Sequence, residues 1–248
     1  MTAGGSNPRV VKVGNTIRRP IRPWSDSVRD LLLYLEQVGF PYSPRYLGID
    51  NQGREVLSYI EGMVAAIQPW PEWVWRDETL RELIGIVGDY HCAVSDYQPS
   101  SDARWRFATG SCPGGEIVCH NDIGPPNVVF SKSGAIVGLI DWETVAPAPA
   151  SNDIAHVAWW WVPLVHPAVA ARVGTPAASD LAARLRLVSD SFGLDAADLV
   201  AIVRDYIQVR VDHAQRGVSE GDEAFLALER RGYLVDLVAT LEYLSDWK

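Results

Sequence analysis

The chain has 248 residues, 48% of them apolar and 21% charged, which suits one large domain or two modest lobes and excludes a disordered or fibrous chain. A net charge of −9 with no basic stripe argues against nucleic acid as a partner and permits a cationic ligand. Cys92, Cys112 and Cys119 form no CxxC pair and no even set, so neither a zinc site nor a disulfide framework is expected, and the compartment is reducing.

In chain order, GGSNP at 4–8 reads as a glycine-containing turn, followed by a strand, a Gly14-Asn15 turn and a second strand. Glycines let backbone approach a phosphate closely, and Arg18 or Arg19 can reach phosphates from the second strand. Strand alternation puts only one of the two on the inner face, and Arg18 is favoured. Ser25 opens a helix as its cap, with Asp26 in the first turn, Leu31, Leu32 and Leu35 on one face, and Gly39 as the stop. Residues 45–62 read as two strands joined at Asp50-Asn51-Gln52-Gly53. Strands therefore dominate residues 9–60. Residues 77–95 are helical, 97–115 form a Pro/Ser/Gly-rich loop, a further helix begins at Asp153, and roughly 178–247 make three helices. The expected organisation is a β-rich lobe at 1–60, a linker at 61–72 and a helical lobe at 73–248. No signal-peptide core is present at the start. The longest apolar run, 154–165, is too short for a bilayer and contains His156 and Pro163. A cytoplasmic protein without membrane contact, monomer or homodimer, is expected.

The chemistry concentrates in 118–143, VCHNDIGPPNVVFSKSGAIVGLIDWE. Val128–Phe130 and Ala135–Ile140 read as a hairpin around the turn Ser131–Gly134. Asn127 enters the hairpin and Asp141 leaves it, so the two side chains converge. Asp122 lies in the loop before, stiffened by Pro125 and Pro126. Oxygen donors from Asn127 and Asp141 suit magnesium, with Asp122 left to orient or deprotonate a hydroxyl. His120, two residues before Asp122, is placed to buttress this loop through hydrogen bonds.

HNDIGPPNVVF, followed by LIDWE and SNDIAH, resembles the aminoglycoside phosphotransferase family, the small-molecule branch of the protein-kinase-like fold. GGSNPRVVKVGNTIRRP resembles that family's nucleotide loop and second strand, and REVLSYIEG the segment joining its lobes, so the likeness covers nearly the whole chain. It implies an α+β, bilobal fold with a small β-rich and a larger helical lobe. It implies Asp122 as the catalytic aspartate, supported by His120, with Asn127 and Asp141 as magnesium ligands. It implies ATP or GTP lying under Gly4, Gly5, Ser6 and Asn7, reached by Arg18, its base meeting the backbone of Ser58, Tyr59 and Ile60. Arginine at position 18 or 19 stands where the fold carries a lysine. Val28, with Asp26 and Asp30 nearby, stands where the first helix carries that lysine's glutamate partner.

The substrate side is less sharply written. Glu143 faces either an amino group of a substrate or solvent. Trp159, in the run Trp159-Trp160-Trp161, is a candidate substrate wall set against a core role. Asp153 is a candidate at the same site, with the tying of the catalytic loop to its helix as its other reading. Glu220, Asp222 and Glu223 form either an anionic rim or a solvated loop. The expected activity is transfer of a γ-phosphoryl group to a hydroxyl of a small molecule, an aminoglycoside or other antibiotic. A choline-, sugar- or homoserine-like metabolite is the alternative acceptor. A nucleotide-binding module without catalysis and a metal-dependent hydrolase are the readings from other classes.

Overall fold

In the computed structural model, residues 10–108, 110–177 and 179–247 are described. The N-terminal strands β1 (Val11–Val13), β2 (Thr16–Pro20), β3 (Tyr46–Ile49) and β4 (Arg54–Ser58) form one antiparallel sheet in the order β1-β2-β4-β3. Helix α1 (Ser25–Gln37) lies between β2 and β3 in the chain and buries Val28, Leu31, Leu32 and Leu35, a stripe at helical spacing. Ser25 begins this helix without capping it. Its hydroxyl accepts from the Arg22 amide and donates to Glu55, because a buried carboxylate is within reach.

Helix α2 (Asp77–Val94) precedes β5 (Ile117–Cys119), the hairpin β6 (Val128–Phe130) and β7 (Ile136–Leu139), and β8 (Ala146–Ala148). β6 and β7 pair antiparallel within the segment 118–143, and β5 pairs antiparallel with β8 across its two ends. The hairpin is the one expected, with Gly134 in the left-handed region at its turn. Tyr90 on α2 is fully buried, its ring 5.3 Å from that of Trp142, and its hydroxyl donates to the Val118 carbonyl at 2.6 Å. The indole of Trp142 donates to the Leu139 carbonyl at 2.8 Å. These two bonds satisfy the polar ends of large core aromatics.

Helices α3 (Ser151–Trp161), α4 (Pro167–Val173), α5 (Leu181–Ser191), α6 (Ala196–Ser219), α7 (Glu223–Glu229) and α8 (Tyr233–Ser245) complete the chain. The final expected helix is two, because Gly232 takes a left-handed conformation and starts a new helix axis. Two compact units result. One joins the chain up to Ile67 with Arg76–Asp153, and the other joins Gln68–Trp75 with the chain from Ile154 onward. In the second unit Arg184 is buried and donates to the carbonyls of Trp161 and Trp75, so its charge is met by backbone oxygens. Among the described residues no helix is long and apolar enough to cross a membrane.

Candidate active site

The site is built within the first unit. Strand β5 delivers His120, Asn121 and Asp122, and the ladder β6–β7 delivers Asn127 and Asp141. Asn121 and Asp141 have φ of 62° and 63°, the two non-glycine residues in the left-handed region among those described. Short polar side chains tolerate that region best, and clustering of such backbone at one place is a mark of a functional site. Asn121 is held there by its side-chain amide, which reaches the carbonyls of Cys119, Thr144 and Ala146 at 3.2–3.4 Å.

The two prolines begin a 3₁₀ turn, Pro125–Asn127, that turns the chain back on Asp122. The Asn127 amide nitrogen donates to the Asp122 carboxylate at 2.8 Å and to the Asp122 carbonyl at 2.9 Å. This fixes the Asp122 side chain and turns the Asn127 side-chain carbonyl oxygen, Oδ1, toward another partner. The Ile140 amide donates to the Asn127 backbone carbonyl at 2.9 Å, so the end of the hairpin is tied to its beginning. Asp141 is exposed to solvent along part of its surface, with protein packed around its carboxyl. Loss of hydration raises its carboxyl to about 6, and the charges of Asp122 and Glu143 push the same way against Arg19 and Arg106.

A buried acid organises the loop from behind. Asp153 is fully buried and accepts from the amides of His120 at 3.0 Å and Asn121 at 2.7 Å, and from His91 Nε2 at 3.2 Å. Burial pushes its carboxyl up, and the bond from His91 with the neighbouring imidazoles outweighs it, holding the group below its ordinary range. Asp153 is therefore a tie between α3 and the catalytic loop, and its candidacy as a substrate contact is corrected: no face of it reaches solvent. His120 is also fully buried, its ring edge-on to Trp142 at 4.7 Å, and its carbonyl accepts from Thr144. It is a loop buttress rather than a group that reaches a reactant.

The opposite wall differs from expectation. Arg18 points to Asp50, 3.4 Å away, on the face turned from the site. Arg19 is buried and donates from Nε to Glu55 at 2.8 Å, and its other terminus lies 3.8 Å from Glu143. β2 and β4 place Arg19 directly across from Glu55, so the pair is a cross-strand one. Alternation was the right argument with the wrong phase: Arg19, not Arg18, faces the site. The acidic partner comes from β4 and not from α1, where Val28 is core. A lone acid beside Val56 and Leu57 in an apolar strand was the sequence signal for Glu55.

Tyr59 lies under Lys12, whose Nζ is 3.4 Å above the ring centroid. The amides of Ser58 and Tyr59 are already donated, to the carbonyls of Arg45 and Asn15. Ile60 packs against Gly138, where an added Cβ would meet its side chain at 2.5 Å. Gly4, Gly5, Ser6 and Asn7 lie outside the described residues. Glu143 belongs to the site, but it faces Arg19 and Arg106. Trp159 is corrected: it is buried in the second unit between His156 and Tyr206, because its face of α3 is a core face. Asp222 is spent on capping α7 through the amides of Ala224 and Phe225.

Residues 102–187 match the family model for the phosphotransferase enzyme family, APH, a span that contains the whole of 118–143. The trifolitoxin immunity protein of Rhizobium leguminosarum bv. trifolii is 33% identical over 221 residues, covering 88% of this chain and 82% of that protein. The chain belongs to the phosphotransferase enzyme family. A choline/ethanolamine kinase family protein from Mesorhizobium loti shares the phosphotransferase's fold at a TM-score of 0.58 and 14% identity, over 96% of this chain and 84% of that one. An aminoglycoside 2'-phosphotransferase-IIIa, solved as a GDP complex, does so at 0.51 and 14%, over 97% and 90%. The chain has an α+β, protein-kinase-like fold and the family's phosphotransferase character.

Proposed function

We propose that this phosphotransferase moves the γ-phosphoryl group of ATP or GTP to a hydroxyl of a small molecule. The acceptor is an antibiotic or toxin, with aminoglycosides as the leading class. The observation that carries the reading is the bond from the Asn127 amide to the Asp122 carboxylate. It holds the Asp122 carboxylate in place beside the turn, where a carboxylate can orient a hydroxyl and take its proton. The same asparagine keeps a carbonyl oxygen for a cation. Asp141, whose ionised form is disfavoured by partial loss of hydration and by the charges of Asp122 and Glu143, is a carboxylate that a cation would relieve. This donor set of amide and carboxylate oxygens fits magnesium. Bound there, magnesium would offset the charge of a triphosphate.

The described chain's own contributions are then separable. Asp122 orients the acceptor, Asn127 positions Asp122, and Asp153 with Asn121 holds the loop. Arg19, braced by Glu55, offers a cation from the sheet. Residues 1–60 serve as the nucleotide-binding part, joined through 61–72 to the part that carries the acceptor site. With the amides of Ser58 and Tyr59 engaged internally, base contacts fall to carbonyls in this segment and to Ile60. Likeness to an immunity protein favours a toxic acceptor over a metabolic one, and a net charge of −9 accords with a cationic molecule. The neighbour from the choline/ethanolamine kinase family keeps a metabolic amino alcohol as the second reading.

The test is incubation with ATP or GTP, magnesium and a panel of aminoglycosides, other antibiotics, peptide toxins and amino alcohols, with products followed by mass. A gain of one phosphate on a panel member is expected. Absence of product from every acceptor, together with absence of magnesium-dependent nucleotide binding, sinks the reading.

A further inference from the structure

The segment 97–116 is longer than a simple connection needs, yet its backbone is tied down. The amide of Ala103 donates to the Ser100 carbonyl, that of Gly110 to Ala103, and that of Trp105 to Ala108. Trp105 is buried, and its indole donates to the Gly110 carbonyl at 3.1 Å. The Arg104 amide donates to the Ser27 hydroxyl at 2.9 Å, which anchors the segment to the start of α1. The next residue but one is Arg106. Its guanidinium lies 5.6 Å from the Trp24 ring centroid and 5.2 Å from that of Phe107. Its NH1 stands 4.0 Å from one oxygen of Glu143, while Arg19 NH1 stands 3.8 Å from the other.

Those separations are too long for hydrogen bonds. Glu143 is held between two guanidinium groups by charge alone, without the close bidentate geometry that arginine forms with carboxylate or phosphate. Arg19 has its close partner in Glu55. For Arg106 the rings of Trp24 and Phe107 lie within cation–π reach of the guanidinium, and its NH1 is near a carboxylate two residues after Asp141. A planar cation on a braced loop, aimed beside the metal ligand, matches what an oxyanion with several acceptor oxygens requires.

We propose that Arg106 binds the terminal phosphate of the nucleoside triphosphate, Glu143 standing in for that phosphate in the nucleotide-free protein. This rests on the phosphotransferase reading and adds a residue to it. Arg19 is fixed to the sheet by Glu55, whereas Arg106 enters from the segment that leads into β5 and Asp122. The terminal phosphate must lie on that side, since Asp122 is where the acceptor hydroxyl is held.

Binding constants separate this role from a structural one. The affinities of ATP, ADP, GTP and GDP, each with magnesium, are measured by calorimetry on wild type, Arg106→Ala and Arg106→Lys, with melting midpoints alongside. Loss of a charge-assisted contact of about 1.5–3 kcal/mol weakens triphosphate binding about 10- to 150-fold. Diphosphate binding should change less than about threefold, and the lysine variant should recover part of the loss by its charge. Equal weakening of di- and triphosphate overturns the proposal. So does an unchanged triphosphate affinity, or a lowered melting midpoint with the ratio of affinities preserved. If wild type binds none of the four nucleotides, the phosphotransferase reading falls and takes this inference with it.

Discussion

Replacing Asp153 by alanine should loosen the catalytic loop from behind without touching any reactant. The side chain is fully buried and accepts from two backbone amides, those of His120 and Asn121, and from His91. Each buried donor left without a partner costs about 1–3 kcal/mol, so the two amides alone predict a loss of about 2–6 kcal/mol. For a chain of this size each kcal/mol lowers the melting midpoint by roughly 2–4 °C, so a loss of about 4 kcal/mol, the middle of that range, means about 8–16 °C. The sign with pH follows from the depressed folded pKa. The stabilisation by ionised Asp153 is present above the ordinary carboxylate value of 3.8 and is lost as pH falls through its lower folded value. At pH 7 the full effect is expected. Thermal unfolding followed by circular dichroism measures it, with turnover on any acceptor found as the second readout. Asp153→Asn keeps one acceptor oxygen and should lie between. An alanine variant as stable as wild type, or one that changes only the acceptor KM, would refute the assignment of Asp153 as a tie and return it to the substrate side.

Three further outcomes are expected. Asp122→Ala should lower turnover by about 10²–10⁴-fold, the usual worth of a general base, with nucleotide affinity within a few-fold of wild type by calorimetry. Retained turnover would remove Asp122 from its role. Magnesium-dependent nucleotide binding should strengthen as pH rises through about 6, because Asp141 must lose its proton to hold the cation. The raised pKa carries the opposite sign for the nucleotide-free fold. The stability it contributes is full below 3.8 and is lost as pH rises through about 6. A flat binding profile between pH 5 and 7, unaltered in Asp141→Asn, would count against the metal assignment. Glu55→Ala should cost about 3–5 kcal/mol in urea denaturation, since it strands the buried Arg19 guanidinium. A Glu55→Leu, Arg19→Met pair should recover much of that, and failure of the pair to recover would show that the ion pair is not the source of the loss.

Much of the site was legible because it is local in the chain. Asp122, Asn127 and Asp141 are separated by a proline-stiffened turn and a short hairpin, and both have geometry that sequence dictates. A two-stranded hairpin with Gly134 at its turn returns its end to its beginning. The β-rich start and helical remainder followed in the same way from periodicities of two and 3.6. The break at Gly232 was less visible, since a glycine within an apolar helical pattern is equally consistent with one continuous helix.

The residues that were misplaced depend on partners far away in the chain. Arg18 and Arg19 are chemically equal in sequence, and only the register of β2 against β4, which sets Arg19 opposite Glu55, decides which faces the site. Arg106 reads as one cation in a loop until Ser27 of α1 anchors the neighbouring Arg104 amide and Trp24, just before α1, meets its guanidinium. Trp159 reads as a ligand wall or as core, and its neighbours His156 and Tyr206 make it core. The sequence alone determined the turn and hairpin that carry Asp122, Asn127 and Asp141 and the order of most strands and helices, because short-range sterics and patterning govern those. Tertiary structure decided which arginine faces the reaction and which acid braces it. Strand register and loop anchoring are set by packing between segments tens of residues apart.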